Sequence, residues 1–368
     1  MNYFKNLFKG ISKPLLLLPM ALAIISITMM FSTSYRNGIV FSREVLIQSF
    51  AYFLGFILII IIANMDYSVF QDFEKLLYIG SLVLLLLVYI PFVGVEQFGA
   101  RSWINLGFMY FQPSEVVKIT FILLFANYLQ KHRDSLYSFK EIMKAAIYCA
   151  PFIAIILKED LGSALVFLAV WVTMVFYAGI DYRLFAKCAG VTLLCIPISY
   201  RFMAAHQKVR IEAFLHPSNL ALEGNYQVYQ SKIAIGSGGF FGKGLFQGTQ
   251  KELEFLPVRN SDFIFSVIVE ELGFIGGALV IGIYSWLVFV MAKVAMLCKD
   301  FYGSLIVMGI IGMFTFQIFE NIAMTMGIMP VTGITLPFLS YGGSSIISNM
   351  IALGFVINVA IKNRGVIF

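Results

Sequence analysis

The chain has 368 residues, of which 60% are hydrophobic and only 12% charged, with a mean hydropathy of +0.87. A soluble globular domain carries about a quarter charged residues, so this composition excludes one and indicates a chain that crosses a membrane many times. The net charge of +6 comes from basic residues gathered in short loops between apolar runs, which is a topology signal and not a nucleic-acid footprint, and no nucleic acid is expected as a partner.

Lys5, Lys9 and Lys13 precede the apolar run 14–33. That run is too long for a signal-peptide core, lacks a convincing small-residue cleavage site and is followed by many more spans, so it is expected to remain as the first span. Further runs of spanning length lie near 44–65, 76–95, 114–130, 143–158, 161–180, 184–203, 263–297, 302–326 and 343–361. At about 20 residues per crossing the expected architecture is an all-α polytopic membrane protein of about ten transmembrane helices. It forms one domain over 1–368, with a large extracytoplasmic loop at about 204–262 between helices 7 and 8. Placing both termini in the cytoplasm puts Lys75, Lys131, Arg133, Lys140, Lys144, Arg183, Lys187, Lys293, Lys299, Lys362 and Arg364 at cytoplasmic helix ends. Only Arg36, Arg43, Arg101 and Lys158 remain in short outer loops, so the positive-inside rule selects this orientation. The loops 204–262, 99–113 and 327–342 then share the outer face.

The first of these polar stretches in chain order is GARSWINLGFMYFQPSEVVK, Gly99 to Lys118. Trp103 and Tyr110 suit a membrane interface, and Pro113 with Ser114 suits a helix start. Glu115 and Lys118 are three apart, so a helix sets them on one face, where pairing lowers the cost of taking both charges into the membrane. The pair reads either as purely structural or as functional. Lys158, Glu159 and Asp160 close one span and open the next. Asp160 with Gly162 and Ser163 reads as a solvated tight turn, or else Asp160 points into the bundle and joins Glu115, Lys118, Glu270 and Glu271 in a polar, outward-opening cavity that serves a substrate or an ion.

The long loop carries Lys208 and Arg210, then GNYQVYQSKIAIGSGGFFGKG from Gly224 to Gly244. Its glycines let backbone N–H groups approach an anion, with Lys232 and Lys243 adding charge, which suits a phosphate or pyrophosphate. Flexibility is the other use of such a loop, and no nucleotide-binding P-loop pattern is present. The loop ends in QGTQKELEFLPVRNSDFIFSVIVEELG, Gln247 to Gly273, where a polar, basic segment meets a long apolar helix. Asp262 at that junction reads as a helix cap favoured by the macrodipole or as a catalytic carboxylate; the long glycine-rich loop before it and Glu270 and Glu271 within the helix after it favour chemistry. Beyond two more spans, Pro330, Gly333, Pro337, Gly342 and Gly343 in GIMPVTGITLPFLSYGGSS cannot continue a regular helix. They are expected to form a broken or re-entrant segment buried in protein or lining a cavity. Cys149, Cys188, Cys195 and Cys298 read as small buried hydrophobes, and His132, His206 and His216 have no ligand spacing, so no zinc or iron site is expected.

GARSWINLGFMYFQPSEVVK, DLGSAL, YQSKIAIGSGGFFGKG, FLPVRNSDFIFSVIVEELG and PVTGITLPFLSYGGSS, in this order across the chain, closely resemble the SEDS family of RodA, FtsW and SpoVE. Within it, Gly248 to Gln250, the EFLP run, the PVTG wording and the absence of long tails are similar to the RodA branch. The family usually reads Glu-x-His-Thr-Asp at the junction, whereas Val258, Asn260 and Ser261 precede Asp262 here. The resemblance implies a peptidoglycan glycosyltransferase of the bacterial cytoplasmic (inner) membrane. It would polymerise lipid II for cell elongation and rod shape, with a class B penicillin-binding protein, elongation proteins of the Mre type and membrane lipids as partners. It also implies that the catalytic Asp falls on Asp262 and the cavity-lining Glu, Lys and Asp on Glu115, Lys118 and Asp160.

The chemistry is then a single inverting displacement, with Asp262 as general base on the acceptor hydroxyl. Arg210, Lys232 or Arg101, together with a divalent cation (magnesium or manganese) and no organic cofactor, would neutralise the leaving pyrophosphate. The competing functions are a lipid II flippase, a scaffold that recruits a transpeptidase, and the division-type or sporulation-type polymerase. No inverted sequence repeat is visible, and the richest polar loop lies on one face only, which favours an enzyme over a transporter.

Overall fold

The computed structural model describes residues 13–34, 42–97, 100–107, 109–135, 138–181, 183–184, 186–187, 190, 200–201, 203–222, 224–252, 255–256 and 258–363. Its helices are α1 Lys13–Ser34, α2 Arg43–Asn64, α3 Val69–Asp72, α4 Glu74–Leu86, α5 Pro113–Lys131, α6 Phe139–Leu157, α7 Leu161–Tyr177, α8 Ala205–Leu215, α9 Asn225–Gly238, α10 Thr249–Glu252, α11 Ile264–Leu297, α12 Phe301–Thr325 and α13 Gly343–Lys362. Among the described residues α1, α2, α11, α12 and α13 are long and apolar enough to cross a membrane. The chain is a mostly helical, multi-pass membrane protein. The expected run 184–203 falls largely outside the described residues, as do Cys188 and Cys195; Cys149 is a buried free thiol and Cys298 a partly buried one.

Most helices begin and end within a few residues of the apolar runs, and the departures have local causes. The run 76–95 is too long as a helix: α4 stops at Leu86, a 3-10 turn follows over Leu87–Tyr89, and Ile90 is extended at φ −70°, ψ 128°. Pro91 forbids the residue before it the helical region, so the apolar run continues but the helix does not. The chain then forms a sheet that the helix-only expectation missed. Strands β1 Gly94–Gln97, β2 Ala100–Asn105 and β3 Tyr110–Phe111 pair antiparallel in that order, with Val95 opposite Trp103 and Ile104 opposite Phe111. Pro113 sits at the first turn of α5, where its missing N–H costs nothing.

Two compact units divide the chain, each built from separated stretches. In the unit formed by 61–208, 291–313 and 354–368, helices α4 to α7 pack together around Phe121, Phe125, Phe152 and Phe167. On α6, Ile142, Ala145, Cys149, Phe152 and Ile156 are buried at three- and four-residue spacing, while Phe139, Met143 and Ile147 face outward; that is the apolar stripe of one helical face. The first half of α12 approaches α5 and α7 through Gly309 and Gly312. A Cβ at Gly309 would lie 2.7 Å from Ile122 and 2.8 Å from Met174, and one at Gly312 2.7 Å from Thr173, the small-residue contact that lets membrane helices pack closely.

The other unit, 1–60, 209–290 and 314–353, contains the broken segment 327–342. Its backbone is irregular as expected, and helix side chains satisfy it. Ser26 of α1 donates to Leu339 O at 2.8 Å, Gln48 of α2 donates to Ser340 O at 3.1 Å and accepts from Gly342 N at 3.2 Å, and the hydroxyls of Tyr52 and Tyr284 donate to Phe338 O and Pro337 O. Non-helical backbone at membrane depth survives only when its polar groups are satisfied in this way. The 34-residue α11 is interrupted at Gly273, at φ 69°, ψ −166°. The part after the break is roughly 35 Å long at 1.5 Å per residue, a single membrane crossing.

Candidate active site

Asp262 lies in the turn 258–263 that leads into α11, half-buried, with its N–H donating to Val258 O at 3.2 Å. The helix begins at Ile264, so Phe263 and not Asp262 directly flanks it. The turn is anchored on three sides. Phe263 packs with Leu256 and with Ala234 of α9, Asn260 donates to the Glu44 carboxylate of α2 and its carbonyl accepts from Tyr341 N at 2.8 Å, and Ser261 O accepts from the Ser340 hydroxyl at 2.5 Å. The long loop and the broken segment thus meet at this turn.

The broken segment brings the other charges. Arg210 of α8 donates through Nη1 to Thr332 O at 3.0 Å. Gly333 follows at φ +78°, and a Cβ built on it would lie 3.6 Å from Asp262 Oδ2 and 3.9 Å from Arg210 Nη1. A carboxylate and a guanidinium therefore face one small volume over a residue with no side chain. Arg210 and Lys232 line a cleft together with Phe214, Asn225, Gly327 and Pro330, and the Lys232 ammonium would be 2.5 Å from a Cβ on Gly327. Asp262, Arg210 and Lys232 are assembled around the broken segment.

Two polar residues that sequence reasoning passed over hold this arrangement. Glu320 and Asn321 of α12 are both fully buried. Glu320 accepts from the Thr332 hydroxyl, and the Asn321 amide donates to Asp262 O at 3.1 Å and Ile334 O at 2.8 Å. An acid and an amide side by side in a 25-residue apolar helix were the available signal, since such groups are expensive in a membrane.

Glu270 and Glu271 have a different use. Glu270 Oε1 accepts from Lys243 Nζ at 2.7 Å, Thr249 Oγ1 at 3.1 Å and Gln250 N at 3.1 Å; Glu271 accepts from the Ser32 hydroxyl at 2.7 and 2.8 Å and from Phe246 N at 3.1 Å. Both carboxylates fasten the glycine-rich loop to the break in α11. The loop's N–H groups are engaged in the same contact: Gly242 donates to Gly238 O, Lys243 to Glu270 O and Gly244 to Glu271 O, at 2.8 to 3.0 Å. Gly238 and Gly242 serve close backbone approach, because a Cβ on them would lie 2.1 Å from Val269 O and Glu271 O respectively. Gly242→Ala, at φ +83° and against main chain, is expected to destabilise the protein by about 1–3 kcal/mol. A thermal melt in detergent measures it, and an unchanged midpoint would show that the loop is not clamped there.

The remaining predicted residues belong to the other unit. Lys118 Nζ and Glu115 Oε1 form an ion pair at 2.8 Å, at 2% and 4% exposure. Asp160 caps α7: Oδ1 accepts from Ser163 N at 2.9 Å and Oδ2 from the Ser163 hydroxyl at 2.6 Å and Gln112 at 3.0 Å. Arg101 donates to the carbonyls of Ile90 and Gly94 at 3.2 to 3.3 Å while its own N–H donates to Glu159 Oε2 at 3.1 Å, so it ties β2 to the start of β1, to the residue after the 3-10 turn and to the loop after α6. Arg101, Ser114, Glu159 and Asp160 line one small cavity. Among the described residues no three His, Cys, Asp or Glu side chains are gathered within reach of one ion.

The sequence profile of the FtsW, RodA and SpoVE family, described as Cell cycle protein, matches residues 13–365. The probable peptidoglycan glycosyltransferase FtsW of Geobacter sp. (strain M18) is 36% identical over 97% of this chain and 98% of its own. The peptidoglycan glycosyltransferase RodA of Treponema pallidum (strain Nichols) is 34% identical over 94% and 96%. A chain solved in a study of how a peptidoglycan synthase complex coordinates polymerization and crosslinking superposes with a TM-score of 0.80 at 28% identity, covering 96% of this chain and 98% of that one. Matched along nearly its whole length by sequence and by fold, the chain belongs to the FtsW, RodA and SpoVE family of membrane glycosyltransferases.

Proposed function

We propose that this protein is a RodA-like peptidoglycan glycosyltransferase that polymerises lipid II on the outer face of the bacterial cytoplasmic membrane during cell elongation. The observation that carries the reading is the approach of Asp262 Oδ2 and Arg210 Nη1 to the same point over Gly333, with Lys232 in the cleft beside Arg210. In the reaction the 4-hydroxyl of the acceptor sugar attacks the anomeric carbon of the donor. Its proton passes to Asp262, the bond from that carbon to the pyrophosphate oxygen breaks, and the electron pair leaves with the prenyl pyrophosphate. An α-linked donor and a β-linked product need one inverting displacement, hence one base and a stabilised leaving group. In this reading Arg210 offers a planar fork to phosphate and Lys232 a point charge. The proposed divalent cation would bridge the substrate's phosphates, as magnesium commonly does.

The elongation role rests on the RodA-like wording at Gly248 to Gln250 and in the PVTG segment; FtsW and RodA relatives match at 36% and 34% identity. Rescue of rod shape in cells depleted of their elongation polymerase, but not of septation in cells depleted of the division polymerase, is the expected outcome. A class B penicillin-binding protein is the proposed partner and Mre-type proteins the proposed assembly. The direct test is polymerisation of purified lipid II in detergent by the purified protein, with and without that partner. Polymer formed without any membrane to cross supports an enzyme, whereas lipid II movement in vesicles without polymer would favour a flippase. Orientation is tested separately: a reporter fused within 215–250 is expected outside and one at 134–142 inside, and the reverse result would put the site on the wrong face for its substrate.

A further inference from the structure

Glu320 and Asn321 have no place in the chemistry just described, yet both are fully buried in α12, where an apolar pair would pack at far lower cost. The Asn321 bonds run to backbone carbonyls at and near the proposed base, and the Glu320 bond to the Thr332 side chain. The Asn321 amide joins two segments that are remote in sequence by donating to Asp262 O at 3.1 Å and to Ile334 O at 2.8 Å. Glu320 accepts the Thr332 hydroxyl, and Thr332 O accepts Arg210 Nη1 at 3.0 Å. Gly333, between the two anchored residues, is the point that Asp262 Oδ2 and Arg210 Nη1 both approach. The backbone on each side of that point is therefore held by α12.

We propose that Asn321 is a positioning residue for glycosyl transfer, with Glu320 behind Thr332 completing the same brace. It acts through main chain and sets the separation of base and guanidinium without touching substrate. The inference rests on Asp262 being the base. Displacement of a reacting group by about 1 Å can cost on the order of 10²-fold in rate, and without the Asn321 bridge the Asp262 carbonyl loses its tie to Ile334, beside Gly333. Asn321→Leu leaves the Arg210 contact to Thr332 O in place, so the groups that bind the substrate phosphates keep their support. The signature of positioning is thus a fall in kcat at constant KM.

Asn321→Leu keeps the side-chain size and removes both donors. With purified lipid II as substrate, kcat is expected to fall about 10- to 100-fold while KM and lipid II binding stoichiometry stay close to those of the unaltered protein; the melting midpoint falls, because two buried carbonyls lose their donor. A kcat within about threefold of the unaltered value overturns the proposal, and so does a loss carried by KM, which would mean contact with substrate. Where Asn321→Leu does not fold, Thr332→Val, which removes one hydroxyl and keeps the branched shape, is judged by the same limits. Asp262→Asn is assayed beside them. If Asp262→Asn polymerises, the base assignment falls. If it is inert while the folded brace variant runs at full rate, only the positioning inference falls.

Discussion

Asp262→Asn is expected to insert and fold, to bind the proposed lipid II substrate and the proposed transpeptidase partner, and to make no glycan polymer above background. Asparagine keeps the size and hydrogen-bonding reach of aspartate but cannot take the acceptor's proton. The loss should therefore match a general base, on the order of 10²- to 10⁴-fold in rate, whereas a lost helix cap would cost about 1 kcal/mol of stability and leave chemistry intact. The structure sharpens this contrast. Phe263 stands between Asp262 and the first residue of α11, and hydrogen bonds through the Asp262 carbonyl and N–H and through Asn260 and Ser261 hold the turn; asparagine preserves these. Polymerisation measured on purified lipid II decides the matter. A folded Asp262→Asn protein working at near-normal rate would end the role proposed for this carboxylate.

Neutralising one member of the Glu115–Lys118 pair is expected to have the next largest effect. At 4% and 2% exposure and 2.8 Å apart, each charge is stabilised by the other. Glu115→Gln or Lys118→Met removes one half of this ion pair and leaves the other charge buried, a state that costs about 3–5 kcal/mol in comparable sites. The exchange of Glu115→Lys with Lys118→Glu restores the pair on the same face of α5. Its own cost is a positive charge in the first turn, where the helix dipole favours an acid by about 0.3–1 kcal/mol. The order of stability in a detergent melt should therefore be unaltered protein, exchange, then either single change. An exchange no better than the single changes would show that one member does more than balance the other.

The order of the elements and the nature of the environment could be read from the sequence because both are local properties. An apolar run of about 20 residues must satisfy its backbone internally and so becomes a helix wherever it meets lipid. The turn at Asp262, the prolines and glycines of 327–342, and the three-residue spacing of Glu115 and Lys118 are equally local, and each appears where the sequence put it. Pro91 was also legible but was outweighed by the apolar residues around it, and the strands β1 to β3 were missed because pairing between strands is not a periodicity within one.

What the tertiary structure alone decided is which polar groups meet. Glu270 and Glu271 were grouped with a cavity because buried carboxylates invite that reading. Ser32, 239 residues from Glu271, and the loop residues Lys243 and Phe246 instead make them the fastening of a glycine-rich loop to a broken helix. Asn321 lies 59 residues from Asp262 and Thr332 lies 122 from Arg210, so no spacing rule links them. In a membrane each of these groups must find a partner, and the sequence states that demand in full. The partner is chosen by the packing of helices distant along the chain, so the site becomes visible only when α8, α12 and the segment around Gly333 are in place together.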